Sequence, residues 1–258
     1  MKKYKHLSEE ERQQMTFDWR YRGFTVLELL TEQEVDELNA ELDRLRLERN
    51  SNEPEKWQEF EPIMHPHKHS EKIEKMFSHP KMIEACEFLM EGDVVGMQTW
   101  GYYKPKGELG RDMHQNAFYT GCGHNEIINT ALALDNHDPE NGAVWNYEGS
   151  HRLPILPIED NEERKKTNTG NWRSERGISC VMPEGNDFRK IEGYLRKGQV
   201  ALLHSHVVHG SEPNGDTTRM RRNFLCGYLK EGAYFHPGKQ MKREPIDIYE
   251  LREKHWGE

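Results

Sequence analysis

Apolar residues recur at Val35, Leu38, Leu42 and Leu45, three or four positions apart, with charged residues filling the gaps. That spacing predicts an amphipathic helix of about four turns. Thr31, with Glu34 three positions on, marks its start as a capping box, and its charged side reads as a solvated outer face. A second helical stretch spans roughly 70 to 92, with Ile73, Phe77, Met82, Ala85, Phe88 and Leu89 along one side, and Pro80 divides it in two. From residue 94 the period changes. Short runs rich in β-branched and aromatic residues (VVGMQTWGYY, FYT, IINTALAL, AVWNY, QVALLHSHVVHG and NFLCGYL) are punctuated by Gly, Pro and Asn. Strands at this spacing predict a mainly β fold, a sandwich or jelly roll, with the N-terminal helices packed on one sheet. Residues 155 to 192 are polar and poor in pattern, with turn signals at Thr169-Gly170-Asn171 and Pro183-Glu184-Gly185. A segment of that length inside a compact domain predicts a functional insert, here a candidate lid.

Composition narrows the class. The 258 residues suffice for a substantial core, and no stretch reads as a linker, so residues 1–258 are expected to form one domain. A net charge of -9, with no basic stripe carrying interleaved aromatics, argues against a nucleic-acid partner. The opening MKKYKHLSEEERQQM has no apolar stretch behind its lysines, and no run approaches a membrane span, so a cytoplasmic protein without a membrane partner is expected. Cys86, Cys122, Cys180 and Cys226 are widely spaced and read as reduced thiols.

The candidate chemistry lies in MHQNAFYTG. Strand alternation lets His114 and Asn116 face one way, and does the same for Ser205, Val207 and His209 some 95 residues later. Two inward imidazoles with one oxygen donor suit ferrous iron and leave positions open for other ligands. Beyond His209 come Ser211, Pro213 and Asn214, then Arg219, Arg221 and Arg222. An arginine fork there, with the Ser211 hydroxyl as a second donor, suits one end of a dicarboxylate. The HPHKH run at 65–69 reads as a surface loop, and His204 and His206 have the wrong strand parity to join His209.

Five fragments in order, FDWRYRGFTVLELLTEQEVDELNAELDRL, QTWGYYKPKG, MHQNAFY, ENGAVWNYEGSHR and LLHSHVVHGSEPN with RRNF, resemble the phytanoyl-CoA dioxygenase family of Fe(II) and 2-oxoglutarate-dependent oxygenases. The resemblance implies a double-stranded β-helix of the cupin type, Fe(II) as metal, 2-oxoglutarate as cosubstrate and O2 as oxidant. It makes His114 and His209 the iron ligands and Arg221 the partner of the far carboxylate of 2-oxoglutarate, with Arg219 and Arg222 as competitors. Gln98, on one strand face with Trp100 and Tyr102, falls where the family often has a cosubstrate-binding amide. Tyr119, Trp145, Arg152, Trp172 and Arg176 are the candidate substrate contacts, and the polar, His- and Arg-rich character beyond residue 119 points to a small polar or anionic metabolite.

Asn116 departs from the pattern. Family members that hydroxylate have aspartate here, and those that halogenate have a small residue; an asparagine would crowd a chloride. An amide oxygen is a weaker ligand that leaves one unit of iron charge uncompensated. Four readings stand open: a substituted aspartate, a working amide ligand, recruitment of Asp112, or a pocket that binds without catalysis.

Overall fold

The computed structural model describes residues 4–56, 59–160, 177–216, 218–238 and 242–258. It begins with a helix that apolar spacing did not announce, α1 (Glu9–Tyr21). Its capping box is complete: Ser8 Oγ accepts from the Glu11 amide at 3.1 Å, and the Glu11 carboxylate accepts from the Ser8 amide at 2.9 Å. The signal Ser-x-x-Glu was present, but the helix buries only Met15 and Asp18 and so carries little apolar period. After β1 (Phe24–Glu28), helix α2 (Glu32–Asn52) starts at the predicted Thr31 box and runs nearly six turns rather than four. The extra turns are long straight-chain residues from Arg46 to Arg49, good helix formers that need no apolar face. Next come β2 (Ile63–Met64), a 3-10 turn at Pro66–His69, α3 (Glu71–Phe77) and α4 (Pro80–Met90), the last two parted at Pro80 as expected.

The remaining elements are β3 (Val94–Lys104), β4 (Arg111–His114), α5 (Asn116–Thr120), β5 (Ile127–Ala133), β6 (Val144–Tyr147), β7 (Ile158–Asp160), β8 (Ile178–Cys180), β9 (Lys190–Ile191), β10 (Gln199–His204), β11 (His209–Ser211), β12 (Arg221–Lys230) and α6 (Ile248–Trp256). They form an antiparallel six-stranded sheet, β1-β10-β5-β12-β3-β2, and a four-stranded one, β4-β11-β6-β9, with β7 and β8 as a separate hairpin. This is the jelly-roll architecture that the strand spacing predicts.

Alternation along the larger sheet decides what each face does. Leu132, Leu202, Phe224 and Tyr228 point outward and pack with Leu38, Leu42, Ile73, Phe77 and Ile83 of the helices. Each such buried side chain contributes about 1.5–3 kcal/mol of transfer free energy. The opposite face looks toward the smaller sheet. At one end it is apolar, with Phe24 and Leu203 against Val207, Val144 and Ile191. At the other end it carries Gln98, Trp100, Tyr102 and Lys104 on β3 opposite Gly227, Leu225, Asn223 and Arg221 on β12. A polar inner face is what a site requires and a core avoids.

Four expectations change. FYT is helical, within α5, because Asn116 begins a turn of helix rather than continuing β4. The run QVALLHSHVVHG is two strands, broken where the Val207 amide turns back to the His204 carbonyl. The 155–192 insert contains β7, β8 and β9 in its described part, while residues 161–176 lie outside the described residues. The HPHKH segment is less exposed than a surface loop: His67 is buried and its Nδ1 meets Thr99 Oγ1 at 2.7 Å. All four cysteines are free and buried. Among the described residues no helix is long and apolar enough to cross a membrane.

Candidate metal and cosubstrate site

His114 ends β4, and His209 opens β11 directly across from it. Their ring centroids are 4.3 Å apart, and both residues are buried. Each ring is fixed by the same local device, since Nδ1 of His114 lies 2.7 Å from the carbonyl of Asp112 and Nδ1 of His209 lies 2.9 Å from that of Val207, two residues back in each case. A carbonyl can only accept, so Nδ1 carries the proton and Nε2 keeps its lone pair. Burial, with the neighbouring His209 and Arg111 charges, pushes the His114 pKa well below the usual histidine range. His209 falls to about 4, again chiefly through burial. Both rings are therefore neutral donors near pH 7, in the tautomer a metal needs.

Asn116 is not on the strand with His114, as alternation predicted. It starts α5, yet its side chain is still near enough to bear on the charge of the His114 ring, so the amide stays beside the imidazole pair. Asp112 does not take its place: its Oδ2 accepts from the Gly177 amide at 2.7 Å. Among the described residues no group of three His, Cys, Asp or Glu side chains could hold a metal. The donors present are two imidazoles and one amide, which fit a divalent cation of borderline softness but leave its charge poorly compensated.

The three arginines separate clearly. Arg219 is ion-paired with Asp138 at 2.6 Å and Asp216 at 2.6 Å near the surface, which removes it from the site. Arg222 pairs with Asp135 at 2.7 Å on the helix side of the sheet. Arg221 is 2% exposed and lies over the Tyr102 ring at 5.5 Å. With the Asn223 amide turned to satisfy its neighbours, Asn223 Oδ1 accepts from Arg221 Nη1 at 2.8 Å, while Arg221 Nε has no partner among the described residues. A buried guanidinium with an orphaned donor and no carboxylate is costly unless an anionic ligand completes it.

Sequence reasoning missed Lys104, which the parity of Gln98, Trp100 and Tyr102 extends to. It pairs with Arg221 in register and is fully buried. Its Nζ donates to Ser211 Oγ at 3.0 Å, to the Gly142 carbonyl at 3.2 Å and to the Glu212 carbonyl. The Glu140-Asn141-Gly142 turn thus supplies a wall of this end of the pocket. Gly142 has φ +75, and an added Cβ would lie 2.6 Å from Glu212 O and 2.9 Å from Lys104 Nζ, so only glycine fits. Ser211 Oγ accepts from Lys104 and from the Arg111 amide at 3.0 Å, which leaves its own proton for a ligand. Gln98 faces inward as expected, and its Oε1 accepts from Arg243 Nε at 3.2 Å.

Of the substrate candidates, Tyr119 lies beside the site, its ring 5.7 Å from that of His114. Trp145 does not. Val144 and Asn146 share the inner face with His209, so Trp145 points outward, where Lys190 covers its ring at 4.8 Å. Arg152 is exposed and packs over Gly149, away from the histidine pair. Trp172 and Arg176 lie outside the described residues. A small cleft of about 10 Å³ beside His114 is lined by Phe118, Tyr119, Leu156, Ile158 and Cys180, which places the β7–β8 hairpin against α5.

His204 and His206 are indeed outside the site, but they form a cluster of their own. Their rings meet those of His124 and His151 at centroid distances from 4.5 to 5.6 Å, with Trp19 5.3 Å from His204. Burial first, then the neighbouring histidines, pushes His204 down to about 2; His206 and His151 fall to about 4. An unfolded histidine titrates near 6.5, so below that pH the unfolded chain takes up protons that the folded cluster refuses. The cluster's contribution is whole above pH 6.5 and is lost as pH falls, by at most about 2 kcal/mol per histidine between pH 6.5 and 5. Thermal melts are expected to show a Tm several degrees lower at pH 5 than at pH 7, with a shallower slope in His204→Asn. An equal or higher Tm at pH 5 would contradict this.

The fold and the donor set define the scaffold of a non-haem, 2-oxoglutarate-dependent oxygenase. The chain belongs to the phytanoyl-CoA dioxygenase family, which matches residues 19–223. It is 24% identical over 176 residues to a protein of Stutzerimonas stutzeri described as "Probable alpha-ketoglutarate-dependent hypophosphite dioxygenase", covering 67% of this chain and 58% of that relative's length. Among solved structures it is similar to the epimerase SnoN in complex with Fe3+, alpha ketoglutarate and nogalamycin RO (TM-score 0.70, 17% identity, 93% of this chain and 96% of that one). It is also similar to EctD from S. alaskensis with 2-oxoglutarate and 5-hydroxyectoine (TM-score 0.66, 17% identity, 89% and 79% covered). At these identities the structural likeness is one of fold.

Proposed function

We propose that this chain, acting as one domain, oxidises a small polar or anionic metabolite in step with conversion of 2-oxoglutarate to succinate. His114, Asn116 and His209 would hold ferrous iron. Arg221 would pair with the far carboxylate of 2-oxoglutarate, helped by Lys104, the Ser211 hydroxyl and the Tyr102 ring, with the Gln98 amide as a further donor. When bound, iron, 2-oxoglutarate and O2 together supply the oxidising chemistry that removes hydrogen from the substrate.

The chain's own part is positional and electrostatic. The two Nδ1–carbonyl bonds aim both imidazoles with Nε2 left unprotonated, and burial keeps the rings neutral. Arg221 and Lys104 attract a dicarboxylate in a water-poor pocket, where each charge-assisted hydrogen bond counts for more than at the surface. Leu156, Ile158 and Cys180 against Phe118 and Tyr119 would exclude water from the side next to His114. The observation that carries the reading is the pairing of two metal-ready imidazoles with a buried guanidinium whose Nε lacks a partner.

A second reading has one observation in its favour. No carboxylate joins the histidine pair among the described residues, as would suit a chain that binds ligand without turning it over. Oxygen uptake separates the two. The proposal expects O2 consumption and succinate formation at equal rates in the presence of Fe(II), 2-oxoglutarate and a substrate mixture of small metabolites; ligand binding with neither would favour the binding protein.

A further inference from the structure

The chain beyond β12 returns to the pocket in two places. At the first, the His236 amide donates to the Thr120 carbonyl at 2.6 Å, at the end of α5. At the second, Ile246 bridges Gly96 of β3 through both backbone groups, at 2.8 and 2.9 Å. Arg243 stands between them, its amide donating to the Pro237 carbonyl at 2.7 Å. Its guanidinium Nη1 donates to the carbonyls of His236 at 3.0 Å and Tyr119 at 3.2 Å, while Nε donates to Gln98 Oε1 at 3.2 Å. One planar fork thus joins α5, whose first residue is Asn116, to the inner face of β3. The family match ends at residue 223, so this link is made by the part of the chain beyond it.

The bond to Gln98 decides which end of its amide the pocket meets. A carboxamide has an accepting end and a donating end, and unconstrained it can present either. A guanidinium only donates, so the Gln98 oxygen faces Arg243 and the NH2 faces away from it. That Nε2 lies over β12, 3.7 Å from where a Cβ on Gly227 would sit, and the same Cβ would meet Gln98 Cγ at 3.2 Å. Glycine at 227 lets the amide lie across the strand. Gly227 is in register with Gln98 on one side and with Asn129 of β5 on the other. Asn129 Nδ2 and Trp100 Nε1 are both buried with no hydrogen-bond partner among the described residues. This stretch of the inner face is therefore set to donate, which suits a carboxylate, a group that only accepts. An amide turned the other way would set oxygen against oxygen.

We infer that Arg243 is a positioning residue for the cosubstrate: through Gln98 Oε1 it holds the amide with its NH2 toward bound 2-oxoglutarate. The inference rests on the oxygenase reading and deepens it. It is tested by a double-mutant cycle on 2-oxoglutarate affinity, read anaerobically from the visible charge-transfer band at saturating Fe(II). The four proteins are the unaltered chain, Arg243→Met, Gln98→Leu and the double variant. Gln98→Leu should weaken 2-oxoglutarate binding about tenfold, the loss of one hydrogen bond to a charged group. Arg243→Met should weaken it about fivefold, because the ligand must then order the freed side chain itself. The double variant should bind no more weakly than Gln98→Leu alone, since Arg243 has nothing left to orient. Arg243→Lys, which keeps a donor, should recover part of the loss. In the Gln98→Leu background Arg243→Lys should likewise add nothing, which keeps the comparison available if the methionine variant does not fold. A merely structural role predicts that the losses multiply, to about fiftyfold in the double variant. That result, or unchanged affinity in Arg243→Met, would overturn the inference while leaving the oxygenase reading in place. Absence of any band in the unaltered chain would instead remove the reading beneath it.

Discussion

His209→Ala is expected to abolish ferrous binding as read by the charge-transfer band, while the chain stays folded. The imidazole is one of two that face each other 4.3 Å apart, and the third donor is an uncharged amide with little capacity to compensate. Removing an outer-shell partner of a metal ligand costs roughly 10–100-fold in affinity, and loss of the ligand itself costs more. Folding should survive because β11 is held on both sides, by β4 and by β6, through backbone bonds the substitution leaves alone. Far-ultraviolet circular dichroism and a melt of the apo protein check the second half of this expectation; a metal titration checks the first. Retention of near-normal iron affinity would show that His209 is not a ligand.

Arg221→Met is expected to move stability and binding in opposite directions. In the unliganded chain the guanidinium is buried, its Nε is without a partner, and burial depresses its pKa. An apolar side chain of similar length removes that desolvation cost, so the apo Tm should rise, consistent with a gain of about 1–3 kcal/mol. Affinity for 2-oxoglutarate should fall on the order of 100-fold, the effect of losing a charge-assisted partner of a buried carboxylate. A structural role alone would predict a lower Tm. Arg219→Met serves as the contrast: it breaks surface pairs with Asp138 and Asp216, and 2-oxoglutarate binding should be untouched.

The histidine pair was legible because its evidence is local: two inward positions, a spacing, and the polar residues that follow. The choice among Arg219, Arg221 and Arg222 was not, since what disqualifies two of them is ion pairing with Asp138 and Asp135, some 80 residues earlier in the chain. Asn116 was found as a position and misplaced as a conformation, because alternation assumes that β4 continues and α5 interrupts it. Trp145 failed for the same reason in reverse: strand parity relative to His209 exists only once β6 is known to pair with β11. Lys104 could have been read, being the next same-face position after Gln98, Trp100 and Tyr102; a lysine seldom suggests a buried position.

The most direct test of the account is an anaerobic titration of the apo protein with ferrous iron and 2-oxoglutarate, watched for the visible charge-transfer band, with Asn116→Asp alongside. The account predicts a band in both proteins, at lower metal concentration in the aspartate variant, where the added carboxylate restores the missing charge. A band in Asn116→Asp alone would make Asn116 a disabling residue on the same scaffold. No band in either would contradict the assignment of His114 and His209 to iron.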